Sequence, residues 1–161
     1  MRLIEIDSRE KPKAIKSIIQ YFEHEGISYV TNKLLFGDYC DYNKPSIVVD
    51  RKHNIAELAK NCTSEHERFR HELERARNAG ATLYILVEQN RYASHGDRIR
   101  VEQISDLIRW SSNYTMVKGE KVFRVLVEWM REFPLKVVFC DKRQTGRKII
   151  EIIYGDGEEN A

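Results

Sequence analysis

Cysteine and proline are scarce, at 3 residues each, and glycine reaches only 8 of 161. The cysteines, Cys40, Cys62 and Cys140, are odd in number and far apart, and they form no CxxC or Cys/His cluster. A disulfide framework and a zinc site are therefore not indicated; the three are expected as small buried hydrophobes. Long apolar runs are also missing. The longest, Ile47-Val49 and Leu83-Val87, are strand length, far below the ~18 residues a spanning helix needs, so no membrane segment is expected. Met1-Arg2-Leu3-Ile4-Glu5-Ile6-Asp7 acquires acids too early for a signal peptide and lacks transit composition, making the cytoplasm the default residence. An excess of one charge is absent as well: 27 Lys and Arg against 25 Asp and Glu leave a formal +2. That balance excludes a histone-like basic protein and leaves the grouping of cations to local pattern.

What is present is a core-forming apolar fraction of 42% beside 32% charged residues. No repeat, low-complexity linker or composition break divides the chain. One α/β domain with a mixed sheet is expected over 1–154, then a flexible acidic tail over 155–161.

Arg2-Ile6 reads as a strand. A helix follows, with Pro12 in its first turn, Ile15, Ile18, Ile19 and Phe22 at helical spacing, and Gly26 as a left-handed stop. Ile27-Leu35 is extended. Gly37-Asp38-Tyr39 turns into a short extended piece, Asn43-Lys44-Pro45 turns again, and Ser46-Asp50 is β-branched, predicting two adjacent antiparallel strands. Helices are predicted around Ile55-Cys62 and Phe69-Ala76, an interior strand over Thr82-Val87, a long polar loop over Arg91-Arg100, and a helix carrying Ile104, Leu107, Ile108 and Ser111. A helix around Val122-Met130, a strand over Lys136-Cys140 and a helix over Arg147-Tyr154 complete the series.

The chemistry concentrates between Gly37 and Lys52. Residues two apart on a strand share a face, so Asp50 and Lys52 point together and Arg51 points away. If the hairpin through Asn43-Pro45 forms, Asp38 comes near Asp50 as a second carboxylate. Such a pair suits Mg²⁺ or Mn²⁺, since a hard cation prefers oxygen ligands and keeps water and substrate phosphate in its shell. Lys52 then either helps deprotonate an attacking water or neutralises transition-state charge. Singly, each of these residues is as well explained by a turn, a strand end or ordinary surface.

In combination, Gly37-Asp38-Tyr39…Val49-Asp50-Arg51-Lys52 resembles the GDY…ERK signature of XPF-type structure-selective nuclease domains, within the PD-(D/E)xK superfamily. Ile6-Asp7-Ser8-Arg9-Glu10 resembles the family's D-x-R-E segment, Arg68-Phe69 its R-F pair, and Tyr84-Glu88 its following strand, with Glu57-Leu58 in the helix after the signature. The resemblance implies a restriction-endonuclease-like fold, a mixed sheet flanked by helices in a single domain. It implies a Mg²⁺- or Mn²⁺-dependent endonuclease acting on branched or flapped DNA in repair or recombination. Asp38 and Asp50 would hold the metal, Lys52 would assist the water, Arg51 would support the site or a phosphate, and Asp7 and Arg9 would border it. Asp50 stands where the family has Glu, one methylene longer. The tandem helix-hairpin-helix module of many members has no room in 161 residues, so DNA would be gripped by the domain's own loops.

For that grip the basic candidates are Arg9, Arg68, Arg91, His95, Arg98 and Arg100, with Lys142, Arg143, Arg147 and Lys148. The helix around Arg68 is equally explained as an ion-paired, solvated face. Trp110, Trp129 and Tyr114 are expected in the core rather than as stacking platforms. A homodimer is implied by the family's habit of pairing, with apolar surface around Ile104-Ile108 and Val122-Met130. The alternative is a noncatalytic DNA-binding or dimerisation partner with a nuclease-like fold, which the retained acids and Lys52 disfavour.

Overall fold

The structure is a computed structural model that describes residues 1–93 and 96–155; His95 and the acidic tail from 156 onward lie outside the described residues. Its frame is one six-stranded sheet in the order β2-β1-β3-β4-β5-β6. The strands are β1 (Leu3–Asp7), β2 (Ser28–Asn32), β3 (Tyr39–Asp41), β4 (Ile47–Lys52), β5 (Thr82–Gln89) and β6 (Leu135–Asp141). β3 runs antiparallel to both neighbours, β1 and β4, and every other pairing is parallel. The carboxyl ends of β1, β4, β5 and β6 therefore meet the amino end of β3 at one end of the sheet.

Helices α1 (Lys16–His24), α2 (Ile55–Cys62), α3 (His66–Asn78), α4 (Gly119–Glu132) and α5 (Thr145–Tyr154) cover both faces. Alternation along the strands divides the core in two. Ile4, Ile6, Tyr39, Val49 and Leu86 pack with α1 and α5. Cys40, Val48, Leu83, Ile85 and Val87 pack with α2, α3 and α4. All three cysteines are buried and free, as expected. The restriction-endonuclease-like arrangement read from the sequence, a mixed sheet between helical layers, is the one observed.

The β3–β4 hairpin forms. Its turn is held by Asp41, whose Oδ1 accepts the N–H groups of Asn43 at 2.8 Å and Lys44 at 2.9 Å, while Tyr154 Oη donates to Asp41 Oδ2.

Four expectations change. Pro12 lies in a turn ahead of α1, which begins only at Lys16, rather than in its first turn. The segment after the long loop is a 3₁₀ helix over Ile104–Arg109 and stops short of Ser111. Gln103 and Asp106 cap it reciprocally, and its i, i+3 geometry buries Leu107 while leaving Ile108 exposed. The apolar stripe of α4 is largely spent inside the domain: Val122, Val125, Leu126 and Trp129 are buried, leaving Met130 partly exposed. That weakens the dimer surface read from the sequence. Finally, Trp110 and Trp129 enter the core but Tyr114 is 71% exposed, because it lies in a turn beyond the 3₁₀ helix rather than on a core-facing stripe. Among the described residues, no helix is long and apolar enough to cross a membrane.

Candidate active site

The site lies where β3 and β4 begin and end. Their register pairs Tyr39 with Val49 and Cys40 with Val48, so Asp38 falls opposite Asp50. Directly opposed residues in an antiparallel pair point to one face with Cβ atoms about 4.5–5.5 Å apart. Two bonds extend the ladder to this point: Asp38 N–H donates to Val49 O at 2.8 Å, and Arg51 N–H donates to Asp38 Oδ2 at 2.8 Å.

Gly37 makes the approach possible. Its φ of +70° is left-handed, and a Cβ there would lie 2.2 Å from Val48 Cγ1, so only glycine fits. Gly37 N–H donates to Glu72 Oε1 at 2.8 Å, and Arg75 Nε donates to Leu35 O at 3.0 Å. Helix α3 thereby fastens the loop that carries Asp38.

Lys52 shares the face of Asp50, as strand alternation predicts, with Nζ 3.0 Å from Asp50 Oδ1. Its ammonium lies over the Phe69 ring at 5.0 Å and is buried. Burial opposes its charge, but the carboxylates of Asp50, Glu72 and Asp38 outweigh it, raising the pKa above the ordinary lysine value. Asp38 is pushed well above the usual carboxylate range by burial and by the charges of Asp50 and Glu10. Glu72 is pushed up to about 7 by burial and by Asp50.

Arg51 occupies the other face. Nε lies 2.9 Å from Glu10 Oε2 and Nη1 2.5 Å from Glu88 Oε1, with the side chain 9% exposed. Tyr39 Oη donates to Glu10 at 3.2 Å, and Thr145 Oγ1 donates to Glu88 at 2.6 Å. The guanidinium is thus committed to a buried ion network, and Arg51 reaches the carboxylate pair through its backbone amide.

Asp7 is buried and accepts Arg9 Nε at 2.8 Å and Leu34 N–H at 3.0 Å. Arg9 also holds Leu34 O at 2.9 Å, so this pair braces the loop leading to Gly37. Both line the cleft of about 460 Å³ that contains Asp38, Asp50, Lys52, Glu72 and Arg68. Arg68 is highly exposed, and its nearest acid, Glu65, is 3.8 Å away. Among the described residues, the other basic candidates, Arg91, Arg98, Arg100, Lys142, Arg143, Arg147 and Lys148, do not line this cleft. Arg98 bonds Asn113 at 3.3 Å; Arg100 and Arg147 line a separate hollow by β6 and pair with Glu102 at 2.7 Å and Glu151 at 3.0 Å.

The donor set suits a hard divalent cation with few protein ligands. No group of three or more His, Cys, Asp or Glu side chains among the described residues forms a metal cage, whereas Mg²⁺ is commonly held by one or two carboxylates plus water and phosphate. The mutual repulsion that lifts Asp38 is what such a cation would relieve. Glu72, and the pairing of Glu10 and Glu88 with Arg51, are not legible in the sequence. The first is one of several acids on a charge-rich helix, and only tertiary packing distinguishes it.

A family model described as the ERCC4 domain matches residues 6–152. The solved structure of XPF from Aeropyrum pernix in complex with DNA is similar to this chain with a TM-score of 0.67 at 17% identity, covering 99% of this chain and 66% of that one. XPF from Aeropyrum pernix in a second structure gives a TM-score of 0.64 at 18% identity, covering 93% and 62%. This chain therefore spans slightly less than two thirds of either solved chain, and the likeness is one of fold. No curated protein matches the sequence. With the fold shared and the family model spanning nearly its whole length, the chain belongs to the ERCC4 domain family.

Proposed function

We propose that the protein is a Mg²⁺- or Mn²⁺-dependent endonuclease that hydrolyses phosphodiester bonds in branched or flapped DNA, in repair or recombination. The observation that carries this reading is Asp38 opposite Asp50 with Lys52 Nζ 3.0 Å from Asp50, in a cleft at the carboxyl ends of parallel strands. Asp38 and Asp50 would hold the ion. When bound, it supplies Lewis acidity to the phosphate and lowers the pKa of a water. Lys52, 3.0 Å from Asp50, would help deprotonate the attacking water or neutralise charge developing on the phosphoryl oxygens. The Arg51 amide orients Asp38, and the Arg51 guanidinium stiffens the central β3–β4 pair from behind. Asp7 and Arg9 hold the loop before Gly37, and Arg68 offers an exposed cation to the backbone at the cleft mouth. Arg98, Arg100 and Arg147 would contact only a more distant arm. DNA bound by a relative's longer chain supports DNA as the substrate class here.

Flap, fork, junction and duplex DNA incubated with Mg²⁺, Mn²⁺ or EDTA test the reading. Metal-dependent cutting that Asp50→Asn and Lys52→Ala each reduce by at least about 100-fold is expected. Metal-independent cutting, or full activity in both variants, overturns it; salt-sensitive DNA binding with no metal uptake would instead identify a noncatalytic partner. Pairing of two copies belongs to the same reading, and a strict monomer in sedimentation at high concentration would reject it.

A further inference from the structure

Beside the metal cleft runs a second groove of about 730 Å³ between α2, the start of α3 and the turn 112–117. The two hollows share Lys52, Glu57 and Arg68 as common wall and so adjoin on one surface. Its far wall is Tyr114, a large aromatic left 71% exposed. The ring is nevertheless braced. One side packs against Gly96, where a Cβ would lie 2.0 Å from Cε2, and its turn is tied by the Asn113 N–H to Gly96 O bond at 2.7 Å and the Tyr114 N–H to Ser112 Oγ bond at 3.1 Å. Lys60 and Arg68 flank the opening, held only loosely by Glu65 at 3.5 and 3.8 Å. A braced, open aromatic ring beside exposed cations is the combination that binds single-stranded nucleic acid, since any unstacked base has a face to offer.

We infer that this groove holds an unpaired nucleotide of the DNA strand next to the scissile phosphate, its base stacked on Tyr114 and its phosphate near Lys60 and Arg68. A base within duplex stacks on its neighbours and has no free face, so the subsite favours substrates with single-stranded character at the cut. The inference deepens the nuclease reading, on which it rests, by giving the cleft a means of selecting unpaired DNA.

The test is a fluorescence titration with 2-aminopurine placed at successive unpaired positions beside the branch of a flap, with Ca²⁺ replacing Mg²⁺ to prevent cutting. Quenching is expected at one position with the wild-type chain. Tyr114→Ala should abolish it and weaken flap binding by about 5- to 150-fold with duplex binding unchanged, while Tyr114→Phe and Tyr114→Trp retain both signals. Lys60→Ala should lower the salt dependence of flap binding by about one phosphate contact. Unchanged quenching and affinity in Tyr114→Ala, or a Trp variant as weak as Ala, overturns the subsite. Failure of the wild-type chain to cut any DNA with Mg²⁺ would overturn the nuclease reading instead. The titration needs no turnover and decides the subsite in either case. Thermal melting of each variant separates a folding defect from a binding defect, and the Phe and Trp variants decide the question should Ala melt early.

Discussion

Arg51 and Asp38 are joined through the sheet: the Arg51 amide donates to Asp38 Oδ2 at 2.8 Å while the Arg51 guanidinium is buried on the opposite face between Glu10 and Glu88. A single residue thus fixes the Asp38 carboxylate with its backbone and anchors the strand from behind with its side chain. Two acids around one guanidinium leave a local negative excess, relieved in part by the hydroxyls of Tyr39 and Thr145.

Replacing Arg51 by Met should cost about 3–5 kcal/mol, because it strands two buried carboxylates. Adding Glu10→Gln and Glu88→Gln should recover much of the loss. Urea denaturation measures both, and a cost below about 1 kcal/mol would show that the network contributes little to holding β4.

Asp38→Asn keeps an acceptor for the Arg51 amide and removes the charge that burial and Asp50 disfavour. Without metal at pH 7–8 the variant should melt a few degrees higher, at about 2–4 °C per kcal/mol for a chain of this size, yet lose Mg²⁺ binding by calorimetry. Stability gained where activity is lost marks a strained functional site; a lower melting temperature would contradict the assigned repulsion.

Glu72 predicts a pH slope. Its carboxyl moves from an ordinary 4.5 to about 7 in the folded chain, so between those values the folded state binds more protons than the unfolded state. Stability from this group is complete below pH 4.5 and is lost as pH rises toward 7. The loss is on the order of 3 kcal/mol. Glu72→Gln, which retains an acceptor for Gly37 N–H, should flatten this part of the stability profile, and Mg²⁺ should flatten it in the wild type. An identical slope in the Gln variant would assign the titration elsewhere.

Gly37→Ala combines a left-handed backbone penalty of about 1–2 kcal/mol with a clash against Val48. A loss of about 2–4 kcal/mol is expected, together with a larger fall in cleavage than in DNA binding, since the displaced loop carries Asp38. Equal losses in both would point to general unfolding.

The parts legible in the sequence are those governed by local periodicity. Alternation placed Asp50 and Lys52 on one face and Arg51 on the other, and Gly37 with the Asn43-Pro45 turn announced the hairpin that brings Asp38 across. The contacts of Glu72, Glu10 and Glu88 are hidden because they arise from α3 meeting Gly37 and from the segment after β1 and β5 closing over Arg51, across separations of 35, 41 and 37 residues. Tyr114 was misread for a related reason. Its exposure depends on where the 3₁₀ helix stops, and the apolar spacing of Ile104, Leu107 and Ile108 also fits a longer α-helix.

The antiparallel β3, wedged into an otherwise parallel sheet, makes the spacing of Asp38 and Asp50 a matter of register. A one-residue slip against β4 would turn Asp38 to the Glu10 and Glu88 side. The Asp41 turn sits at the opposite end of the sheet from the chemistry, and by clamping Asn43, Lys44 and Tyr154 it serves as the gauge that sets the distance between the two carboxylates. An insertion there, far from any substrate, would be felt as a change in metal affinity.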